Sequence, residues 1–260
     1  MAEEGMKADS SPRAAFSEMP RGEAIHSSDH DRLVRAASDP ALSGDQALAL
    51  LAHRDLPPDA IEQLAKNRLA LKLRKVKVAL ACHAHTPRHI SVPLIRQFYT
   101  FDLTKVALSP VVPADVKLSA DESLISRAKT ITLGERLTLA RLASGRIAGA
   151  LLLDANERVM RVALENPHLI EVQVVQAVLQ PEASADLVQL ASHHRKWSYR
   201  RDVQLALLRT EHLSLARALV FSREVSATQL GEIMRTSRLP PHIKTQLLNE
   251  RASGKAAGSD

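Results

Sequence analysis

Apolar residues along the chain recur at the spacing of an α-helix. Leu69, Leu73, Val76 and Leu80 occupy positions i, i+4, i+7 and i+11, which predicts a stripe along one side of a helix. An apolar-Ala-Leu triplet also closes successive helical stretches, each time before a polar or proline-containing break. The triplets are Val78-Ala79-Leu80, Val106-Ala107-Leu108, Val162-Ala163-Leu164 and Leu205-Ala206-Leu207. Such recurrence is typical of helical repeats, in which each helix pair buries its apolar face by stacking on its neighbours.

The spacing of the triplets is irregular. Their central alanines lie 28, 56 and 43 residues apart, whereas tetratricopeptide and ankyrin arrays hold periods of about 34 and about 33 residues. The pattern therefore predicts an irregular, HEAT-like α-solenoid of about ten helices in stacked pairs. We expect Ala79, Ala163 and Ala206 to lie in its core, because small residues let helices approach closely.

Helix starts are marked by proline, serine and threonine. The near copies Leu56-Pro57-Pro58 and Leu239-Pro240-Pro241 place proline in a first turn, where no N–H partner is lost. Thr132 and Glu135 have the spacing of a capping box. Ser184 and Ser226 directly precede apolar-periodic runs and are predicted N-caps.

Composition agrees with an all-α fold. The 260 residues are 45% hydrophobic but only 3% aromatic, and strands favour aromatic and β-branched residues. Residues 1–30 and 252–260 lack apolar periodicity and are predicted to be disordered ends. One helical-repeat domain is predicted between them, at 31–251.

The segments that would indicate secretion or a membrane span are not found in the sequence. Cys82 is the single cysteine, so no intrachain disulfide can form. Neither a signal-peptide core nor a run of about 18 apolar residues occurs. We expect a cytoplasmic protein without membrane insertion.

Positive charge concentrates in two clusters of this basic chain, whose net charge is +6. The first, at 66–77, holds six Lys or Arg and no acidic residue. On one helix, Arg68, Lys72 and Lys75 would share a face and form a positive ridge suited to phosphates. The same pattern also fits the solvated face of an ordinary amphipathic helix.

The second cluster, at 193–201, adds aromatic residues to the charge. Its candidate binding residues are Arg195, Lys196, Trp197, Arg200 and Arg201. Basic groups interleaved with aromatics suit base stacking and phosphate contact. Ser198 is a predicted N-cap that would place both Arg200 and Arg201 in a first turn, where a bound anion would offset their conflict with the helix dipole. Alternatively, Trp197 packs as a hydrophobic staple and the charges are solvated.

Motifs for metal binding and catalysis are weak or missing. Cys82, His83, His85 and His89 are ligand types for zinc, but their spacing is poor and no second cysteine exists. Cys82 is better explained as a small buried apolar residue. The sequence contains no glycine-rich phosphate loop, nucleophile elbow or His-Glu-x-x-His. We predict neither a metal, a cofactor nor enzymatic activity.

Two segments resemble bacterial helical-repeat proteins of the leucine-rich-repeat-variant and HEAT-like kind. They are Val162-Ala163-Leu164-Glu165-Asn166-Pro167-His168-Leu169 with Val174-Val175, and Trp197-Ser198-Tyr199-Arg200-Arg201-Asp202-Val203. The similarity spans roughly residues 45–250. It departs from the pattern where Arg68 follows Asn67 in place of proline, and again at Thr210-Glu211. The resemblance implies stacked helices and carries over no catalytic residue.

The predicted function is a non-enzymatic scaffold that binds a protein partner. The alternative is a nucleic-acid-binding repeat protein that uses the clusters at 66–77 and 193–201. A third, remote alternative is a DNA glycosylase-like enzyme, which would need Asp154 or Asp202 beside Trp197.

Overall fold

The computed structural model describes residues 30–256, and their side chains as far as residue 250. Within residues 30–256 there are sixteen α-helices, one 3-10 turn and no strand. The all-α prediction is thus confirmed. The helices outnumber the predicted ten because turns divide several stretches that the apolar pattern had joined.

The helices are short, and loops of a few residues connect them. They are α1 His30–Ala37, α2 Gly44–Leu51, α3 Pro58–Lys66, α4 Arg74–Cys82, α5 Arg88–Ile95, α6 Thr100–Leu108, α7 Ala114–Arg127, α8 Leu133–Leu142, α9 Gly145–Leu151, α10 Glu157–Leu164, α11 Glu171–Leu179, α12 Ala185–His193, α13 Arg201–Leu207, α14 Leu215–Arg223, α15 Ala227–Thr236 and α16 Pro241–Ala256. The 3-10 turn, Ala70–Lys72, lies between α3 and α4.

The described chain divides into two compact units. The first contains the residues up to Leu80 together with His85–Pro87, and the second contains Ala81–Ala84 and the residues from Arg88 onward. The single repeat domain predicted at 31–251 stays a prediction. Of the predicted disordered ends, residues 1–29 and 257–260 lie outside the described part, whereas residues 252–256 belong to α16.

The first unit is built on α1, α2 and α3. Helix α1 packs against both α2 and α3, and the 3-10 turn also contacts α2 and α3. Leu50, Leu56 and Ile61 are fully buried in this unit.

In the second unit, helices pack mainly against the helix two positions away in the chain. Such contacts join α5 to α7, α7 to α9, α9 to α11 and α11 to α13; others join α8 to α10, α10 to α12 and α14 to α16. Adjacent helices also touch, as α8 and α9 do. The core of this unit is therefore shared by helices that are adjacent in the chain and helices that are two positions apart. Ala163 and Ala206 are fully buried there, as predicted, whereas Ala79 in α4 is only half-buried.

Most of the predicted helix starts are confirmed. Thr132 and Glu135 form a capping box at the start of α8. Ser184 and Ser226 accept backbone N–H groups as the N-caps of α12 and α15. The two Pro-Pro pairs begin α3 and α16. These signals act within one turn of the chain, so distant contacts do not overrule them.

Besides these local capping bonds, long-range hydrogen bonds join residues about thirty positions apart. In each case a side chain at the end of one helix, or a few residues after it, donates to a carbonyl near the end of an earlier helix. The pairs are Asn67 to Asp39, Arg127 to Phe98, Asn166 to Ala140, Trp197 to Leu164 and Ser237 to Leu208, with separations of 28, 29, 26, 33 and 29 residues. Three of these carbonyls, those of Ala140, Leu164 and Leu208, lie in or directly after a last helical turn, where carbonyls lack an intrahelical partner. The separation within each pair, 26 to 33 residues, varies less than the spacing of the alanine triplets.

Gly145 permits the closest approach between elements in the second unit. A Cβ atom at this position would lie 2.1 Å from the backbone oxygen of His168. Glycine is therefore needed where α9 begins against the turn that leads into α11.

Candidate interaction surfaces

The basic segment at 66–77 is not one helix. Helix α3 ends at Lys66, and Asn67 then forms a side-chain turn: its Oδ1 accepts the N–H groups of Leu69 and Ala70, both at 3.1 Å. Its Nδ2 donates to the Asp39 carbonyl at 2.9 Å. Asn67 therefore keeps the bridging role that Asn166 has, although no proline follows it.

The predicted ridge of Arg68, Lys72 and Lys75 on a single helix face is accordingly wrong. Arg68 follows the end of α3, Lys72 ends the 3-10 turn, and Lys75 lies in the first turn of α4. The Asn67 side chain competes with helical hydrogen bonding at this point, so the helix stops and the periodic pattern does not continue.

The same segment nevertheless exposes both its charge and its leucines. We call residues 66–75 the basic turn. Lys66, Arg68, Lys72 and Lys75 are exposed and form no ion pair within the described residues. Leu69 is 52% exposed and Leu73 is 48% exposed, so the predicted leucine stripe is not buried at these two positions.

Trp197 belongs to the core rather than to a binding surface. It is 1% exposed, and its Nε1 donates to the Leu164 carbonyl at 2.8 Å. The Lys196 Nζ lies 4.0 Å from the ring centroid, which is cation–π geometry. The prediction that Trp197 serves as a ligand-binding residue is therefore wrong, because no face of the ring is open for stacking.

His194 organises the loop that follows α12. We call residues 193–201 the tryptophan turn. The His194 Nδ1 accepts the N–H groups of Lys196 and Trp197 at 3.1 and 3.4 Å. Its Nε2 lies 3.3 Å from a carboxylate oxygen of Glu165, without the alignment of a hydrogen bond. Burial lowers the pKa of His194, and the Glu165 carboxylate opposes this effect.

Ser198 is not the predicted N-cap. Helix α13 begins at Arg201 and its N-cap is Arg200, which makes no side-chain capping bond. Ser198 is buried in the preceding turn, and its carbonyl accepts a hydrogen bond from Gln204. Of the two arginines that were predicted to lie in the first turn of this helix, only Arg201 does so.

The cations of the tryptophan turn face different neighbours. Arg195 lies 3.4 Å from Glu165, and Arg201 lies 3.4 Å from the Gln229 side-chain oxygen. Arg200 is exposed, and Tyr199 is 81% exposed. An open aromatic ring therefore does lie among these charges, but it is Tyr199. Phosphate binding by the arginines stays a prediction.

A groove between α9 and α11 was not predicted. It has a volume of about 530 Å³ and is lined by aliphatic, glycine, glutamine and arginine side chains without a carboxylate. Among its lining residues Leu153, Ile170 and Val172 are 39%, 56% and 58% exposed. Helices α9 and α11 approach closely at Gly149 in the wall of the groove, because a Cβ there would lie 3.1 Å from the Gln173 Cβ.

One signal in the sequence could have indicated this groove. Around α11, apolar residues occur at Ile170, Val172, Val174 and Val175, which is more than one buried stripe requires. Val174 is buried, whereas Ile170 and Val172 face the groove. The apolar residues of this short segment that do not pack in the core thus lie at the surface, in the groove.

A smaller groove of about 290 Å³ lies between α5 and α7 and is mainly polar. It is lined by Val92, Ile95, Arg96, Ser119, Glu122, Ser123 and Ser126.

The histidines near Cys82 do not form a metal site in the described structure. No group of three or more metal-ligating side chains occurs in residues 30–250. Burial raises the pKa of the half-buried Cys82 thiol to about 11. Both carboxylate oxygens of Asp154, one of the two candidate carboxylates for a glycosylase-like enzyme, accept a hydrogen bond from Arg136 Nη1, at 2.9 and 2.8 Å.

No helix in the described part of the chain is long and apolar enough to cross a membrane. No protein-family model matches the chain, and no similar curated protein or solved structure was found.

Proposed function

We propose that residues 31–251 form a HEAT-like α-solenoid that acts as a non-enzymatic scaffold, and that the groove between α9 and α11 binds a segment of a protein partner. The observation that carries this proposal is the gathering of exposed aliphatic side chains in one groove. Exposed apolar side chains that line one groove are a common feature of binding sites for partners and ligands.

The packing of the second unit supports the solenoid part of the proposal. Helices contact others two positions away, and side chains bridge to carbonyls 26 to 33 residues earlier. Both features are expected when a helix pair is stacked repeatedly on its predecessor.

The composition of the groove supports a protein segment as its ligand. Leu153, Ile170 and Val172 offer apolar contact, while the exposed amides of Gln176 and Gln180 can each donate and accept a hydrogen bond. A peptide backbone presents both donors and acceptors, so these amides suit it. A phosphate backbone presents only acceptors and would gain little from the aliphatic wall.

The test is site-specific photo-cross-linking in cells that express the protein. A benzophenone amino acid replaces Gln176, which lines the groove. We expect a discrete cross-linked species that disappears when Val172→Glu is added, because the carboxylate would be desolvated by a partner. Val220→Glu on α14 is the matched control, since Val220 is 45% exposed and lies outside the groove.

Both substitutions should leave stability within about 0.5 kcal/mol of the parent, because the two side chains are largely exposed. Cross-linked species that persist in Val172→Glu would contradict the groove as the binding site.

The second candidate function is nucleic-acid binding through the tryptophan turn. Tyr199 favours it, because this exposed ring has the exposed cations Lys196 and Arg200 close to it in the chain. Base stacking on aromatic residues together with phosphate contacts is the usual mode for single strands.

This alternative is tested by titrating salt against binding to a labelled single strand and a duplex. Parent binding should weaken steeply with salt, and Arg200→Ala with Arg201→Ala should reduce the magnitude of the log–log slope by about 1.4 to 1.8. Tyr199→Ala should weaken single-strand binding without changing that slope. Arg141→Ala, on the exposed side of α8, serves as the control. Absence of binding by the parent at low salt would eliminate this candidate.

A further inference from the structure

The basic turn exposes positively charged side chains and apolar side chains next to each other in the chain. Its exposed cations include Lys66, Arg68, Lys72 and Lys75, and its exposed leucines are Leu69 and Leu73. The turn lies wholly in the first unit and shares no residue with the groove.

Four of the five cations of this turn are not neutralised by an ion pair within residues 30–250. These four are Lys66, Arg68, Lys72 and Lys75, and each of them is exposed. The segment from Lys66 to Lys77 contains six Lys or Arg and no Asp or Glu. A partner for this surface is therefore expected to be anionic.

The exposed leucines indicate that the anionic partner also offers an apolar environment. Each keeps about half of its surface in water, at 52% and 48% exposure. A nucleic-acid backbone would neutralise the cations but would offer these side chains no apolar phase. The interface of a lipid bilayer offers both, because phosphate groups lie directly above the acyl chains.

The local structure holds the leucines in place. Leu69 and Leu73 flank the 3-10 turn, whose entry is fixed by the Asn67 side chain. Leu73 rests over Gly44 at the start of α2, where a Cβ would come within 1.8 Å of the Leu73 Cδ1. A surface that is ordered before binding loses less conformational entropy on binding.

We propose that the basic turn docks the protein on the surface of a bilayer containing anionic lipids, with Leu69 and Leu73 in the headgroup–acyl boundary and Lys66, Arg68, Lys72 and Lys75 against the phosphates. This is peripheral association and requires no spanning helix. It goes beyond the scaffold function and places that scaffold at a membrane.

The experiment is co-sedimentation of the whole protein with vesicles of phosphatidylcholine alone and of an equimolar mixture with phosphatidylglycerol. We expect binding to the mixture and little binding to phosphatidylcholine. Lys72→Gln with Lys75→Gln should lower the partition coefficient roughly 25-fold, since each cation near an anionic surface contributes roughly fivefold. Leu69→Ser with Leu73→Ser should lower it at least about fivefold, through lost apolar contact.

Matched controls come from exposed residues of the second unit. Leu118→Ser with Leu248→Ser removes two leucines of similar exposure, at 42% and 46%, and Arg141→Gln with Arg235→Gln removes two exposed cations. Neither control should change the partition coefficient by more than about twofold. Circular dichroism melts check that every variant is folded.

A second measurement does not depend on the serine variant. Leu69→Trp introduces an indole at the turn, and its emission should shift to the blue on mixing with anionic vesicles, whereas that of the buried Trp197 should not change. An unshifted spectrum would overturn the proposal. So would equal binding to phosphatidylcholine alone, or DNA binding that is lost in the lysine variant and unaffected in the leucine variant while vesicles stay unbound.

Discussion

The basic turn and the tryptophan turn have similar compositions but arrange their apolar groups in opposite ways. Both are short connections rich in Lys and Arg. In the tryptophan turn the large apolar side chain is buried, and a cation lies over its ring. In the basic turn two of the three leucines, Leu69 and Leu73, are exposed.

The two turns differ in the side chain that donates a hydrogen bond to a carbonyl of an earlier part of the chain. The Trp197 N–H reaches the Leu164 carbonyl at the end of α10, which anchors the ring in the core. In the basic turn the corresponding bridge is made by the amide of Asn67, which is polar and needs no apolar pocket. Leu69 and Leu73 are consequently left at the surface.

This comparison shows that a basic, apolar-rich turn can either bury its large apolar side chains or leave them exposed. Which of the two applies depends on which side chain makes the long-range hydrogen bond.

The largest predicted effect is a difference in the free energy of unfolding between substitutions in the two turns. Trp197→Ala should lower the free energy of unfolding by about 3 to 5 kcal/mol, because it removes a fully buried ring and leaves a cavity. Leu69→Ala should change it by less than about 0.5 kcal/mol, as an exposed substitution usually does. Urea denaturation followed by circular dichroism measures both. Comparable losses in the two variants would mean that the turns do not differ in this way.

A smaller effect is expected from enlarging alanines in the neighbouring helices. Ala163, next to the Leu164 carbonyl that Trp197 binds, is fully buried, whereas Ala79 in α4 is half-buried. Ala163→Leu should overpack α10 and cost about 1 to 3 kcal/mol. Ala79→Leu should cost less than Ala163→Leu in the same denaturation experiment. An unchanged midpoint for Ala163→Leu would show that the packing around α10 can expand without strain.

The smallest effect is a pH dependence specific to the tryptophan turn. Burial lowers the pKa of His194 in the folded protein; nearby Arg195 and Lys196 also lower it, while Glu165 raises it. Above the ordinary histidine pKa of about 6.5, both folded and unfolded states hold the ring neutral. As the pH falls below that value the unfolded state binds more protons, so this contribution to stability is lost toward acid.

Protonation would also remove the Nδ1 acceptor that Lys196 and Trp197 use. His194→Asn is the control, because its side-chain oxygen can accept backbone N–H groups but does not titrate. The free energy of unfolding is compared about one pH unit above and one below 6.5. Taking the difference between the parent and this variant cancels other titrating groups, such as Asp121, whose pKa is raised by burial. A parent and variant with equal pH dependence would exclude His194 as the source.

Features that act within one turn of the chain were predictable. The capping box at Thr132 and Glu135, the serine caps and the Pro-Pro helix starts all depend on backbone groups one to three residues away. The same local reasoning failed at Ser198, because the chain makes an additional turn before α13 begins. It also failed at Asn67, whose side chain ends a helix that the apolar spacing would have continued.

The sequence by itself determined that the chain is helical and where most of its helices begin, because caps and helical periodicity are local. Only the tertiary structure decided that Trp197 is buried, that Leu69 and Leu73 are exposed, and that α9 and α11 leave a groove between them. Burial depends on which surfaces meet, and those surfaces lie tens of residues apart in the chain: the carbonyl that anchors Trp197 is 33 residues earlier. The periodic pattern marks which side chains are apolar, but the stacking of helices determines which of them are covered.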